Sequence, residues 1–363
     1  MTAPTRMPRA GPRSGRQGFT LVEMMVGLAV GLFVSLAAIS VFVSTRTLQT
    51  VSSAGTRMGE NSRLAMDLLH KDLRSAGFLG CKAISNPLVN LLVAGNPRFL
   101  DVDPATDIAG IRGYHGTGTG FSPALNATLA ALTPNANSDF ISIRVPVEPL
   151  SLGLATPMTS SSGVPQVGVN TVGNTIQSGS ILLIASCQDA AVFQVTETSP
   201  ATSGNLSHAI GGAFDPGNAG NDFKKVFSIN DSAIYRLQTN HYYIAPGTHA
   251  GTNSMWRLAF PNPTDPTAAP VPEEVVQGID RMVISYGLDK GDLTANRYVT
   301  ADNVGTAWGG VVAVRLQLLS TTVNDGVTLT PQAASFAGGT VSSTDHRLRN
   351  QVTEVVTLRN NAP

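Results

Sequence analysis

The sequence predicts an α+β fold, with one long N-terminal helix laid on an antiparallel sheet and long irregular loops between. Three observations predict it. Residues 19–76 contain no proline and pass from an unbroken apolar run into an amphipathic pattern. The last third of the chain alternates apolar and polar side chains over several short segments. The stretches between are rich in Gly, Pro, Ser, Thr and Asn.

The apolar run extends from Phe19 to Val43, and Glu23 is its only charged side chain. About 20 apolar residues suffice to cross a bilayer as a helix. A carboxylate near the start of such a run is costly in hydrocarbon and marks a function. Ahead of it lie Arg6, Arg9, Arg13 and Arg16 and no acid. That positive flank keeps the N-terminus in the cytoplasm and sends the rest of the chain across. An ordinary secretory signal has a shorter apolar region with its cleavage site on the far side. Here the expected cut, between Gly18 and Phe19, precedes the run. It removes the arginines and keeps the helix.

Gly18-Phe19-Thr20-Leu21, with Glu23 two residues on, resembles the type III prepilins: type IV pilins, minor pilins and type II secretion pseudopilins. Their pattern is a basic leader ending in Gly, then Phe-Thr-Leu-X-Glu and an apolar helix. Two later stretches are similar to the PilW family of minor pilins. They are Ser75-Ala76-Gly77-Phe78-Leu79-Gly80-Cys81 after the helix and Arg347 to Asn360 at the end. The resemblance implies a pilin-like fold and a membrane aspartyl prepilin peptidase acting after Gly18. It also implies methylation of the new Phe19 amine and assembly with other minor and major pilins at an inner-membrane platform.

Composition fits an exported, loop-rich chain. Charged residues make up 13%, with 36 Gly and 22 Pro in 363 residues. The formal net charge is zero, so loss of a leader bearing four arginines leaves −4 on 345 residues. A mildly acidic product lacks the clustered cations that nucleic acid requires. The two cysteines, Cys81 and Cys187, most simply form one disulfide in an exported chain. Two buried free thiols are the alternative.

Taken in order, residues 1–18 read as leader, 19–43 as membrane helix, 44–77 as its periplasmic continuation and 78–363 as a loop-rich β head. Gly27 and Gly31 have a spacing that permits close helix approach, although glycine is common in membrane helices. Leu64, Leu68, Leu69 and Leu73 form an apolar stripe, opposed by Arg63, Asp67, Lys71 and Arg74. Gly55 and Gly59 are candidate soft points, and Gly77 is a left-handed C-cap. The helix is expected from Phe19 to Ala76.

Residues 85–137 read as a connector with short elements. Phe140–Val145 is a strand, and Leu150–Ser180 a loop. Ile181–Ala185 and Val192–Thr196 form a hairpin with Cys187 near its turn. Ile234–Leu237, Tyr242–Ile244 and Met255–Leu258 read as a three-strand meander, and Pro261–Pro272 as a connector. Met282–Tyr286, Val311–Leu319 and Val352–Leu358 are three further strands. In the middle one, Val312, Val314, Leu316 and Leu318 alternate with Ala313, Arg315 and Gln317. One dry face and one wet face indicate an antiparallel sheet, which the amphipathic half of the helix can cover.

The expected role of Glu23 is to grip a neighbouring subunit's N-terminal ammonium, which leader removal creates. A paired carboxylate is tolerable at membrane depth where a lone one is not. The bland alternative is a side chain reaching back to the headgroups. The runner-up function is a type II secretion pseudopilin. A membrane-tethered enzyme is disfavoured, since His-Glu-x-x-His, Gly-x-Ser-x-Gly and Cys-x-x-Cys are all absent and the six histidines are scattered. Gly116-Thr117-Gly118-Thr119-Gly120 lacks the lysine of a phosphate cradle and reads as a turn. No cofactor is expected. Asp289-Lys290-Gly291-Asp292 could hold Ca²⁺, but a hairpin turn is the better reading. Asp101 and Asp103 are a weaker pair still.

Overall fold

With no proline to remove a backbone donor, helix α1 runs unbroken over Leu21–Ser75, through Gly55 and Gly59, in a computed structural model. The structure describes residues 18–81, 88–100, 110–163, 167–289, 291 and 294–360; side chains 148–151 are not described. Asp101, Asp103, Lys290 and Asp292 lie outside the described residues.

The strands and short helices follow in order: β1 (Leu88–Asn90), β2 (Ile111–Gly116), β3 (Phe121–Ser122), α2 (Ala127–Ala130), β4 (Phe140–Thr156), β5 (Gly168–Val169), β6 (Ile181–Ala185), β7 (Ala190–Gln194), α3 (Pro200–Ser203), β8 (Ala233–Pro246), β9 (Asn253–Phe260), β10 (Glu273–Gln277), β11 (Ile279–Leu288), β12 (Arg297–Val299), β13 (Val311–Thr321), β14 (Ala334–Phe336), β15 (Gly339–Val341) and β16 (Arg349–Thr357). Two compact units meet at Ser52 and Ser53.

In the first unit, Leu21–Ser52 of α1, the apolar side chains are exposed along the whole run. Its hydroxyls bond to the helix's own carbonyls: Ser35 Oγ donates to Gly31 O (2.8 Å), Ser44 Oγ to Ser40 O (2.9 Å) and Thr45 Oγ1 to Val41 O (2.8 Å). Such back-bonding satisfies polar groups where water is absent. The Arg46 guanidinium sits 5.0 Å from the centre of the Phe42 ring.

The second unit is the α+β head. A ten-stranded sheet has the order β1-β7-β6-β8-β4-β2-β3, with β9 on β8, β10 on β9 and β5 on β4. A four-stranded sheet has the order β12-β11-β13-β16, and β14 and β15 form a separate hairpin. All pairs are antiparallel except β1 with β7. One core joins α1 to both large sheets: Ala65, Met66, Leu69 and Leu73 pack with Ile284, Leu316 and Leu318 and with Ile141, Ile143 and Tyr242. A second core, around Leu182, Phe193 and Phe223, lies under the β6–β7 half.

Several expectations need correction. The buried stripe of α1 runs through Met58, Ser62, Ala65, Met66, Leu69, Asp72 and Leu73. Leu64 is exposed and Leu68 half-buried. The stretch 150–156, read as loop, continues β4 past Pro146, with an irregular register between Val147 and Leu152. The meander is two long strands rather than three short ones. Gln238-Thr239-Asn240-His241, read as a break, is buried strand whose polar groups are satisfied. Leu100 N–H donates to Thr239 Oγ1 (3.0 Å), and His241 Nε2 lies 2.7 Å from Arg98 O. Burial holds the His241 imidazole down at about 4, so it stays neutral. The segments β2 and β10 were not foreseen.

Asp139, buried just before β4, stitches the two sheets together. Its N–H donates to Met282 O (2.8 Å), and its carboxylate accepts from Ile284 N–H (2.7 Å) and Gly116 N–H (2.9 Å). His115 Nδ1 lies 2.9 Å from the same carboxylate. That hydrogen bond raises the His115 pKa above its usual value against the opposing effect of burial, with help from the charges of Asp139 and Asp302. A raised folded-state pKa stabilises fully below the unfolded value of about 6.5 and fades as pH climbs through the folded one. His115→Gln is therefore expected to lose roughly 0.5–1 kcal/mol more at pH 5.5 than at pH 8.5. Unfolding midpoints at the two pH values check this, and an equal loss at both contradicts it.

Candidate processing and assembly site

The motif residues sit where the chain enters α1. Gly18 and Phe19 precede the helix, and Phe19 is 91% exposed. Thr20 is the N-cap and Leu21 the first helical residue. Thr20 N–H and Oγ1–H both donate to Glu23 Oε2 (3.1 Å each), while Glu23 N–H donates back to Thr20 Oγ1 (3.2 Å). Met24 N–H closes the first turn on Thr20 O (3.1 Å). This is a capping box, in which a threonine and a glutamate three residues on satisfy each other's orphan donors. The Thr-x-x-Glu spacing was legible in the sequence, but its capping role was missed. The carboxylate also lies at the positive end of the helix dipole. Both contacts fall on Oε2. Glu23 Oε1 takes no contact among the described residues, and an ionised carboxylate accepts about four hydrogen bonds.

At its other end the helix is closed by Gly77, as expected, and by Asn360, which was not. Gly77 adopts φ 70°, which a Cβ would oppose. Asn360 Nδ2 donates to Ala76 O (2.9 Å), so the end of the chain caps the helix that starts it. Cys81 and Cys187 form a disulfide. It ties the segment after the helix to the β6–β7 turn, where Gly80, at φ 73°, lets the backbone come close to Ala185.

Besides Asp139, a second buried acid was missed. Asp72, 8% exposed, accepts from Asn240 Nδ2 (2.6 Å) and from Tyr242 OH (2.7 Å). Burial pushes the Tyr242 phenol well above 10, and the charge of Asp72 adds to the rise. Its place in the stripe Leu69, Asp72, Leu73, Ala76 could have revealed it, since a carboxylate there needs partners. Asp289 lies in the β11–β12 connection, where its Oδ1 accepts from Gly291 N–H (2.8 Å) and its N–H donates to Gly310 O (3.0 Å). That is turn geometry. Asp292, its proposed partner for Ca²⁺, is outside the described residues.

Comparison with known proteins gives two family matches. Residues 13–39 match the prokaryotic N-terminal methylation motif, and residues 241–360 match the family described as type IV pilus-assembly protein W. No curated protein matches. Among solved structures, a type IV-like pilin from Thermus thermophilus is similar at 19% identity over 35% of this chain and 70% of its own, with a TM-score of 0.21. The chain thus bears a prepilin-type start and, from the second half of β8 to the end of β16, a PilW-type finish, and these two matches support a type IV pilus minor-pilin-like role.

Proposed function

We propose that this protein is a minor pilin that takes part in priming type IV pilus assembly. It is made as a precursor with residues 1–18 in the cytoplasm, 19–43 in the inner membrane and 44–363 in the periplasm. A prepilin peptidase cuts after Gly18 and methylates the Phe19 amine. The processed chain then joins other minor and major pilins at the assembly platform and passes to the pilus. The observation that carries this reading is the capping box. It holds Glu23 at the helix start with Oε1 open, three residues after the Thr20 N–H that the cut leaves next to the new amine. A neighbour's ammonium can bond that oxygen without breaking the cap.

Gly18→Ala and Glu23→Ala, each in the full chain, test it. Gly18→Ala is expected to retain the leader, because a Cβ obstructs close approach of a protease to the backbone. Glu23→Ala is expected to be cut normally and to fall roughly 10–100-fold in sheared pili, as loss of a charge-assisted bond of about 1.5–3 kcal/mol implies. Normal processing and normal incorporation in both variants would overturn the proposal.

A further inference from the structure

The ten-stranded sheet carries buried polar side chains on the face turned away from α1. Ile111, Ile141, Ile143 and Tyr242 join the core with the helix, so alternation along each strand puts Arg112, Ser142 and His241 on the other face. Register makes these three a single row across β2, β4 and β8, with Arg112 opposite Ser142 and Ser142 opposite His241. Residues 95–100 roof this row. Asn96 Oδ1 holds the roof's own turn by accepting from Arg98 N–H (2.8 Å) and Phe99 N–H (3.0 Å). Arg144 Nη1 ties it to the sheet by donating to Leu100 O (3.2 Å). Between roof and row lies a cavity of about 330 Å³, whose lining includes Phe99, Arg112, Tyr114, Asn126, Ser142 and His241. Pockets for small ligands begin at about that volume, with a few placed polar groups on an aromatic or apolar wall.

The tautomer of His241 fixes what the cavity offers. Burial keeps this imidazole neutral, and a neutral imidazole has one N–H. Nε2 lies 2.7 Å from Arg98 O, so Nε2 carries the proton. Nδ1, 2.8 Å from Ser142 Oγ, therefore accepts, and the Ser142 hydroxyl spends its hydrogen there. Ser142 Oγ is left with lone pairs, to which nothing donates among the described residues. Asn126 is fixed in the opposite sense. Its Oδ1 accepts from Leu129 N–H (2.9 Å), so Nδ2 is left as a donor with no acceptor among the described residues. Arg112 adds a guanidinium, which carries five donors, 5.5 Å from the centre of the Trp308 ring. Tyr114 adds an aromatic wall, met edge-on by Phe140 at 5.7 Å. No carboxylate lines the cavity among the described residues.

We infer that this cavity is a carbohydrate site that takes one pyranose unit of a glycan. A pyranose brings hydroxyls that donate to Ser142 Oγ and oxygens that accept from Asn126 Nδ2 and Arg112. Its C–H face suits the negative face of the Tyr114 ring. Other ligand classes match less of the lining. A cation finds no counter-charge there. A simple anion satisfies Arg112 but brings no donor to Ser142. An apolar ligand leaves the polar groups of the row unpaired, which is costly once water is excluded. Glycans of the cell's own wall and glycans of surfaces outside it share this chemistry.

Saturation-transfer NMR on the full chain, in a detergent without a sugar headgroup, tests this. The probes are N-acetylglucosamine, a wall sugar, and glucose and galactose, sugars of outer polysaccharides; cyclohexanol and acetate are the controls. At least one sugar is expected to bind, with transfer strongest to the hydrogens of one ring face. The controls are expected to bind roughly ten-fold more weakly or not at all, as loss of one or two hydrogen bonds implies. Tightest binding of N-acetylglucosamine assigns the site to wall glycan, and tightest binding of glucose or galactose assigns it to outer glycan. Asn126→Asp keeps the acceptor for Leu129 N–H and removes the Nδ2 donor. Arg112→Lys keeps the charge and removes the planar fork. Each is expected to keep the melting temperature and to weaken the best sugar by roughly ten-fold. Absence of sugar binding by the wild type overturns the inference. So does equally tight binding of either control, or unchanged sugar binding by both variants. None of these results bears on leader removal or pilus incorporation of the wild-type chain, which test the proposed function.

Discussion

Replacing Cys81 and Cys187 together by serine is expected to destabilise the head by about 2–5 kcal/mol. The bridge spans 106 positions, and the chain-entropy model gives about 4–5 kcal/mol for a loop of that length. The turn at Cys187 holds itself: Ser186 N–H donates to Asp189 O (2.8 Å), and Asp189 N–H donates to Ser186 Oγ (3.1 Å). The loss should therefore fall on the other side. There Phe78 meets Tyr235 edge-on at 4.8 Å and Leu79 joins the β6–β7 core. Denaturant unfolding of the full chain in detergent measures it. Reducing the wild type should reproduce the loss, and an unchanged midpoint in both would contradict the account.

Asp72→Ala is expected to cost about 3 kcal/mol. It removes no apolar contact of consequence. It leaves Asn240 Nδ2 and Tyr242 OH buried without their acceptor, and each orphaned donor costs about 1–3 kcal/mol. The damage spreads along the sheet, because Asn240 Oδ1 in turn accepts from Gln238 Nε2 (2.5 Å). Tyr242→Phe alone should cost less, about 1 kcal/mol, since the acid keeps Asn240. In the double variant the losses should fall short of additive by about 1 kcal/mol or more. Additive losses would mean that the two groups do not hold the helix jointly.

Local rules made much of this legible. The start of the chain obeys the bilayer and the spacing of a capping box, both of which act over a few residues. The strands of the four-stranded sheet alternate with period two because one face meets Leu69 and Leu73 while the other, with Arg315, Gln317 and Thr353, stays partly exposed. Failures occurred where burial was polar. Gln238 to His241 read as a break because strands are expected to bury apolar groups, yet each of these side chains or its neighbour finds a partner far off in sequence: Asp72, Arg98 or Leu100. Leu64 was misplaced by counting leucines rather than following the stripe that Ala65 and Ser62 share. Ser62 is buried because its Oγ donates to Ser320 Oγ (2.6 Å) across the helix–sheet contact. No local pattern announces such a pair.

Trimming after Gly18 is expected to free an amine on Phe19 for assembly. Mass spectrometry of the intact protein extracted from membranes tests it most directly. The account predicts a chain that begins at Phe19 and carries one added methyl group on its amine. A chain that still begins at Met1 or Thr2 would contradict it.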